Sequence, residues 1–260
     1  MRRRQVEGSA SDAQPKQAQS VPPALPLRTG DRLTRPEFER RYLANPHIKK
    51  AELVEGVTQV REPVGFYTHG RPHSLVSGIL FTYAAYTPGV CAVVDPTVRL
   101  DRNNEPQPDV ALLIEAAADG QSHVDKDGYI AGAPELVLEV AASSATRDLQ
   151  RKFHAYWRNG VREYVVWRTL DKRIDWFELA SGQFEPKLPD SKGLIHSTLF
   201  PGLCLAVPAL LNNQIAEALE ALHEGIGSAP HKVFAADLES RLAHSDGPIE
   251  GGTPSLRNPA

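Results

Sequence analysis

The sequence predicts one domain of mixed α/β class. Three observations predict it. Two short apolar runs, 108–114 and 134–140, are bounded by proline and polar loops and read as buried strands. Between 146 and 159, Leu149, Phe153, Tyr156 and Trp157 recur at helical spacing. Strand character then returns at Tyr164, Val165, Val166 and Trp167, so strand, helix and strand succeed one another.

The elements follow in order. Residues 1–28 are rich in Gln, Ala, Ser and Pro and read as a disordered tail. Thr34-Arg35-Pro36-Glu37 has the form of a helix start, with Thr34 as N-cap and Glu37 at the capping-box position. Residues 51–61 read as a hairpin turning at Glu55-Gly56. His73 opens a helix whose apolar face is Leu75, Val76, Ile79, Leu80 and Tyr83, and Pro88-Gly89 ends it. Val93-Val94 and 98–100 are extended, and Asn103-Asn104 turns the chain into the run that begins at Asp109. Residues 116–132 are polar and read as a loop. The Glu139 run follows, then the 146–159 helix, stopped by Gly160. Residues 162–167 and 173–178 read as two strands, 195–205 as a last strand and turn, and 214–223 as a closing helix. One domain is expected over 29–224. Residues 225–260 read as a weakly helical, then disordered, tail.

Composition narrows the function classes. At 260 residues, 41% hydrophobic and 23% charged, the chain is ordinary for a globular protein. The net charge of -3 gives no global attraction for nucleic acid, so any basic surface must be local. Such clusters are Arg147, Arg151, Lys152 and Arg158, and Lys49-Lys50. Cys91 and Cys204 match no metal spacing and no disulfide framework, which fits a cytoplasmic setting. No apolar run approaches a membrane span, and residues 5–20 hold no signal-peptide core, so no membrane partner is expected.

Each apolar run of the central stretch carries an acid, Asp109 in the first and Glu139 in the second. A carboxylate inside such a run must be paired, hydrogen-bonded or on a metal, because burying it alone is costly. The bland readings are an exposed turn acid for Asp109 and a half-exposed strand for Glu139. Lys152 borders the apolar face of the following helix; its bland reading is a snorkelling lysine, with Asp148 as an i,i+4 partner. Taken singly, His73 is a polar helix-start residue, and Glu52 an acid beside a turn. Taken together, two acids and a lysine meet the needs of metal-assisted phosphodiester hydrolysis. Hard oxygen ligands suit Mg²⁺ or Mn²⁺, and an ammonium stabilises developing negative charge.

In this order Pro108-Asp109, Glu139-Val140, Asp148…Lys152…Tyr156 and 160–166 resemble the Uma2 family, within the PD-(D/E)XK nuclease superfamily. The resemblance extends to Glu52-Leu53-Val54-Glu55-Gly56, to the helix led by His73, and to Leu199-Phe200-Pro201-Gly202-Leu203; it spans about residues 33–212. It implies a restriction-endonuclease-like core, a mixed central β-sheet flanked by helices, and an endonuclease that hydrolyses DNA with Mg²⁺ or Mn²⁺. It implies Asp109 and Glu139 as metal ligands. The superfamily commonly places its lysine two residues after the second acid, where this chain has Ala141, and the resemblance puts it instead at Lys152. Glu52 and His73 are supporting residues. A homodimer is expected. The alternative is a catalytically silent binding or assembly module that keeps the nuclease fold, and the near-neutral charge favours it.

Overall fold

The structure, a computed structural model, describes residues 25–142 and 147–245, with the backbone alone at 147 and 148. Residues 1–24, 143–146 and 246–260 lie outside that description, and with them most of the expected N-terminal tail and the end of the expected C-terminal one.

The chain opens with α1 (Arg35–Leu43) and the hairpin β1 (Ala51–Val54) and β2 (Val57–Val60). A π-helical turn at Phe66–Gly70 leads into α2 (Arg71–Ala85). Next come β3 (Val90–Val94), β4 (Val98–Arg99), β5 (Val110–Ile114), β6 (His123–Val124), β7 (Ile130–Ala131) and β8 (Leu136–Ala141). Helix α3 (Arg147–Arg158) crosses to β9 (Glu163–Arg168), followed by β10 (Arg173–Ala180) and β11 (Gln183–Lys187). The chain continues through β12 (Leu194–His196), β13 (Cys204–Ala206), α4 (Val207–Leu211), α5 (Ile215–Ile226) and α6 (Ala229–Ser245).

Six strands form the central sheet in the order β11-β10-β9-β8-β5-β3. The sheet is mixed: β8 and β9 are parallel, and the other pairs are antiparallel. Parallel neighbours need a crossover, and α3 supplies it. The alternation along β8 explains why the strand is central. Leu136, Leu138 and Val140 enter the main core with Val76, Leu80 and Trp176, while Val137 packs with Tyr156 and Tyr164 under α3. Both faces are therefore covered, and the half-exposed reading of Glu139 fails. Each fully buried leucine here is worth about 1.5–3 kcal/mol of transfer free energy.

The β1–β2 hairpin turns through Glu55 at φ 54° and Gly56 at φ 70°. Two consecutive positive φ values match the right-handed twist of the flanking strands. The turn fixes a register in which all of β1, Glu52 included, is buried.

The structure departs from the sequence reading in four places. Thr34 precedes α1 but makes no side-chain cap, and Glu37, instead of reaching back to the Thr34 amide, is held by Arg40 at 2.8 Å and Arg41 at 2.6 Å. The stretch 116–132 is not a plain loop: β6 and β7 pair there and join β4 in a three-stranded sheet. Strand β11 went unanticipated, since Gln183, Glu185 and Pro186 give it no apolar alternation; it lies at a sheet edge, where proline is tolerated. Finally, the part expected to be a weakly helical tail forms α6. Leu238 and His231 of that helix are buried, and His231 Nε2 lies 3.0 Å from Thr87 Oγ1. Its periodicity is weak because these contacts are few, yet they dock the helix on the core. Among the described residues, no helix is long and apolar enough to cross a membrane.

Candidate active site

Four elements meet where β8 passes beneath α3. Asp109 stands just before β5, Glu139 lies within β8, Lys152 and Tyr156 come from α3, and Glu52 comes from β1. Asp109, Glu139, Glu52 and Lys152 are all buried. Lys152 is not the snorkelling lysine of the bland reading, for its residue exposure is 1%. Its Nζ donates to Glu139 Oε1 at 2.8 Å and lies 3.0 Å from Glu52 Oε2. The helix explains this. Tyr156, one turn on, donates its hydroxyl to the same Glu139 oxygen at 2.8 Å, so residues 152 and 156 share the face turned to the sheet. The side chain of Asp148, expected as a partner for Lys152, lies outside the described residues.

Glu52 also accepts the Gln107 amide at 3.1 Å, and Arg61 Nη2 lies 2.9 Å from its other oxygen. Arg61 reaches towards Glu139 as well, 3.8 Å from Oε2. Two cations thus offset the two carboxylates. Burial pushes the Glu139 carboxyl up to about 7 against the pull of Lys152, with Asp109 adding to the rise. Burial acts on Glu52 in the same sense. There the charges of Lys152 and Arg61 and the Gln107 amide outweigh it, and the pKa is lowered. Burial and the Glu139 charge raise the Tyr156 phenol well above its ordinary value, which keeps it a neutral donor.

Asp109 has different partners. Its Oδ2 accepts the Val140 amide at 2.7 Å, which ties the start of β5 to β8. Its Oδ1 is buried and accepts no hydrogen bond among the described residues. Three groups lie near that oxygen. His69 Nε2 is at 3.4 Å, Lys50 Nζ is at 3.9 Å and also bonds Asp95, and His73 donates from Nε2 to the Asp109 backbone carbonyl at 3.0 Å. His73, Asp95 and Asp109 each bring one ligand-type atom within 4.8 Å of the others. Glu139, Lys152, Arg61 and His69 line a cavity of about 340 Å³. The residue set fits a divalent cation, because a buried carboxylate oxygen lacking a donor is the position a hard cation would satisfy.

The structure brings Glu139, Lys152 and Glu52 into direct contact, and sets Asp109 and His73 one strand away against the same wall. Sequence reasoning passed over Arg61 and His69. No local signal marks Arg61, which lies just beyond β2 and reaches the site only through hairpin register. His69 carried one: it stands four residues before His73, a spacing that stacks two side chains on one helical face, and their rings lie 5.4 Å apart. By contrast Glu135 and Glu163 are buried acids of another kind. Glu135 accepts the Ile114 and Gln121 amides, and Glu163 accepts Ser197 Oγ and the Thr198 amide. Their oxygens are used in holding loops.

Comparison with known proteins agrees with this architecture. The model of the Uma2 family, described as “putative restriction endonuclease”, matches residues 35–208. A crystal structure of “a putative nuclease belonging to DUF820” from Anabaena variabilis ATCC 29413 is similar at a TM-score of 0.50 and 14% identity. The likeness covers 62% of this chain and 89% of that one. At that identity it speaks to the fold, which is mixed α/β with a central sheet flanked by helices. No curated protein matches.

Proposed function

The chain belongs to the Uma2 family, and we propose on that premise that it is a metal-dependent endonuclease hydrolysing DNA phosphodiester bonds. Asp109 and Glu139 are the proposed ligands of Mg²⁺ or Mn²⁺. The observation that carries the reading is Asp109 Oδ1, buried without a hydrogen-bond donor beside a cavity that holds Glu139 and two cationic side chains. When bound, the metal would supply Lewis-acid neutralisation of the scissile phosphate and lower the pKa of a coordinated water. Lys152 is the proposed electrostatic catalyst: its ammonium is held by Glu139 and Glu52 and pre-oriented for charge that develops on phosphate oxygens. Glu52 and Arg61 are positioning residues for that ammonium and for Glu139. His73 holds the backbone at Asp109. A homodimer gives two symmetric sites for two strands, and sedimentation showing only monomer at micromolar concentration would remove that part.

The rival is a silent binding module, favoured by the net charge of -3. Calorimetric titration with Mn²⁺ separates the two. One bound ion per chain is expected, lost in Asp109→Asn, a variant that can still accept from the Val140 amide. A wild type that takes up no Mn²⁺ would leave the binding module as the better reading.

A further inference from the structure

The tautomer of His69 is set by its partner. Its Nδ1 lies 3.0 Å from the Val140 carbonyl oxygen. A carbonyl only accepts, so Nδ1 carries the proton, and in the neutral ring Nε2 presents a lone pair. That lone pair lies 3.4 Å from Asp109 Oδ1, which itself accepts no hydrogen bond among the described residues. Two acceptors facing each other repel unless a proton, which makes the ring an imidazolium, or a metal ion lies between them. Metal-bound histidines commonly have this form: one ring nitrogen donates to a backbone carbonyl, which fixes the ring and leaves the other nitrogen to the metal.

We propose that His69 Nε2 and Asp109 Oδ1 are ligands of one divalent transition-metal ion, giving the site a mixed nitrogen and oxygen donor set. The inference rests on the nuclease reading for the presence of a metal, and adds a ligand and a metal preference to it. The separation suits the role. An ion about 2.1 Å from each donor would see the two at roughly 105–110°, within the range of tetrahedral and distorted octahedral sites. Glu139 lines the same cavity as His69, and water would complete the coordination shell. The location also fits, since His69 sits on the π-helical turn before α2, and such turns are frequent at functional sites. The donor set has a chemical consequence. Mg²⁺ strongly favours oxygen and keeps its waters, whereas an imidazole donor raises the relative affinity for transition metals, least for Mn²⁺ and more for Fe²⁺, Ni²⁺ and Zn²⁺, so the site selects Mn²⁺ over Mg²⁺ and the later metals over Mn²⁺.

Pulsed electron paramagnetic resonance on the Mn²⁺-loaded full chain tests this directly. The expected result is a nitrogen coupling of a directly bound imidazole, absent in His69→Asn. That variant keeps a side-chain donor for the Val140 carbonyl, and circular dichroism checks its fold. Mn²⁺ affinity should fall in it by at least the ~10–100-fold that the loss of an outer partner already costs. In His69→Glu, whose carboxylate reaches the position of Nε2 and supplies an oxygen donor there, the preference for Mn²⁺ over Mg²⁺ should shrink. Mn²⁺ bound by wild type with no nitrogen coupling would overturn the inference and leave the nuclease reading intact. A coupling that survives His69→Asn and vanishes in His73→Asn would also overturn it, moving the ion to His73, Asp95 and Asp109. Wild type that binds no Mn²⁺ would remove both.

Discussion

Lys152 is the residue on which stability and chemistry meet. Its ammonium is shared by two buried carboxylates at 2.8 and 3.0 Å. Lys152→Met fills similar volume but leaves Glu52 and Glu139 facing each other with Arg61 as the cation beside both. Removing one partner of a buried charge group costs about 3–5 kcal/mol, so chemical denaturation of Lys152→Met should show a loss of that order. A loss below about 0.5 kcal/mol, the range of ordinary surface substitutions, would mean the ammonium is not held as described. The same geometry gives replacement of Glu139 two opposing effects. Repulsion from Asp109 would be relieved, but Lys152 and Tyr156 would lose an acceptor. Glu139 also carries a pH signature. Its carboxyl is raised from 4.5 to about 7, so the folded state binds that proton more tightly than the unfolded chain. The corresponding stability is present below about pH 4.5 and lost as pH rises through about 7. Relative to Glu139→Gln, wild type should lose stability across that window, and parallel profiles of the two proteins would contradict the assignment. The enclosure of Asp109 and Glu139 was legible because each interrupts an apolar run, and Lys152 stood out because it borders the apolar face of α3. Glu52 was legible only through family resemblance, since its contact with Lys152 spans about a hundred residues of sequence and depends on where α3 lands. Arg61 was illegible for the same reason.

At the scale of elements, the periodic parts of the chain were readable, and the parts decided by docking were not. Strands β5 and β8 and helix α3 announce themselves by apolar spacing, whereas β11 is a polar edge strand and α6 holds to the core through a few residues. Helix α6 yields a test. Leu238 is buried at 1% exposure, and the His231 ring packs edge-on to Tyr83 at 5.5 Å. Losing Leu238 alone forfeits about 1.5–3 kcal/mol. Ending the chain after Ser228 should therefore lower Tm by roughly 5–10 °C, at ~2–4 °C per kcal/mol for a domain of this size. A melting temperature unchanged within 2 °C, below the smallest shift that ~1 kcal/mol would give, would show α6 to be a dispensable tail.

At the scale of the whole molecule, a near-neutral chain that acts on DNA as proposed must bind that polyanion through a local site. The net charge of -3 leaves steering to accessible cations such as Lys49, Arg151 and Arg158. Neutralising phosphate with a few cations makes binding steeply salt-dependent, so nuclease activity belongs at low ionic strength. The central claim is that Asp109, Glu139 and Lys152 form one metal-dependent hydrolytic centre. Its most direct test is a plasmid-nicking assay at low salt with Mn²⁺, comparing wild type, Asp109→Asn and Lys152→Met, each confirmed folded. The account predicts nicking by wild type that chelator abolishes and that both variants lose by ~100-fold or more, as when a single preorganised electrostatic group is removed. Nicking that persists undiminished in Asp109→Asn, or wild type that binds Mn²⁺ and leaves the plasmid intact at every ionic strength, would contradict it.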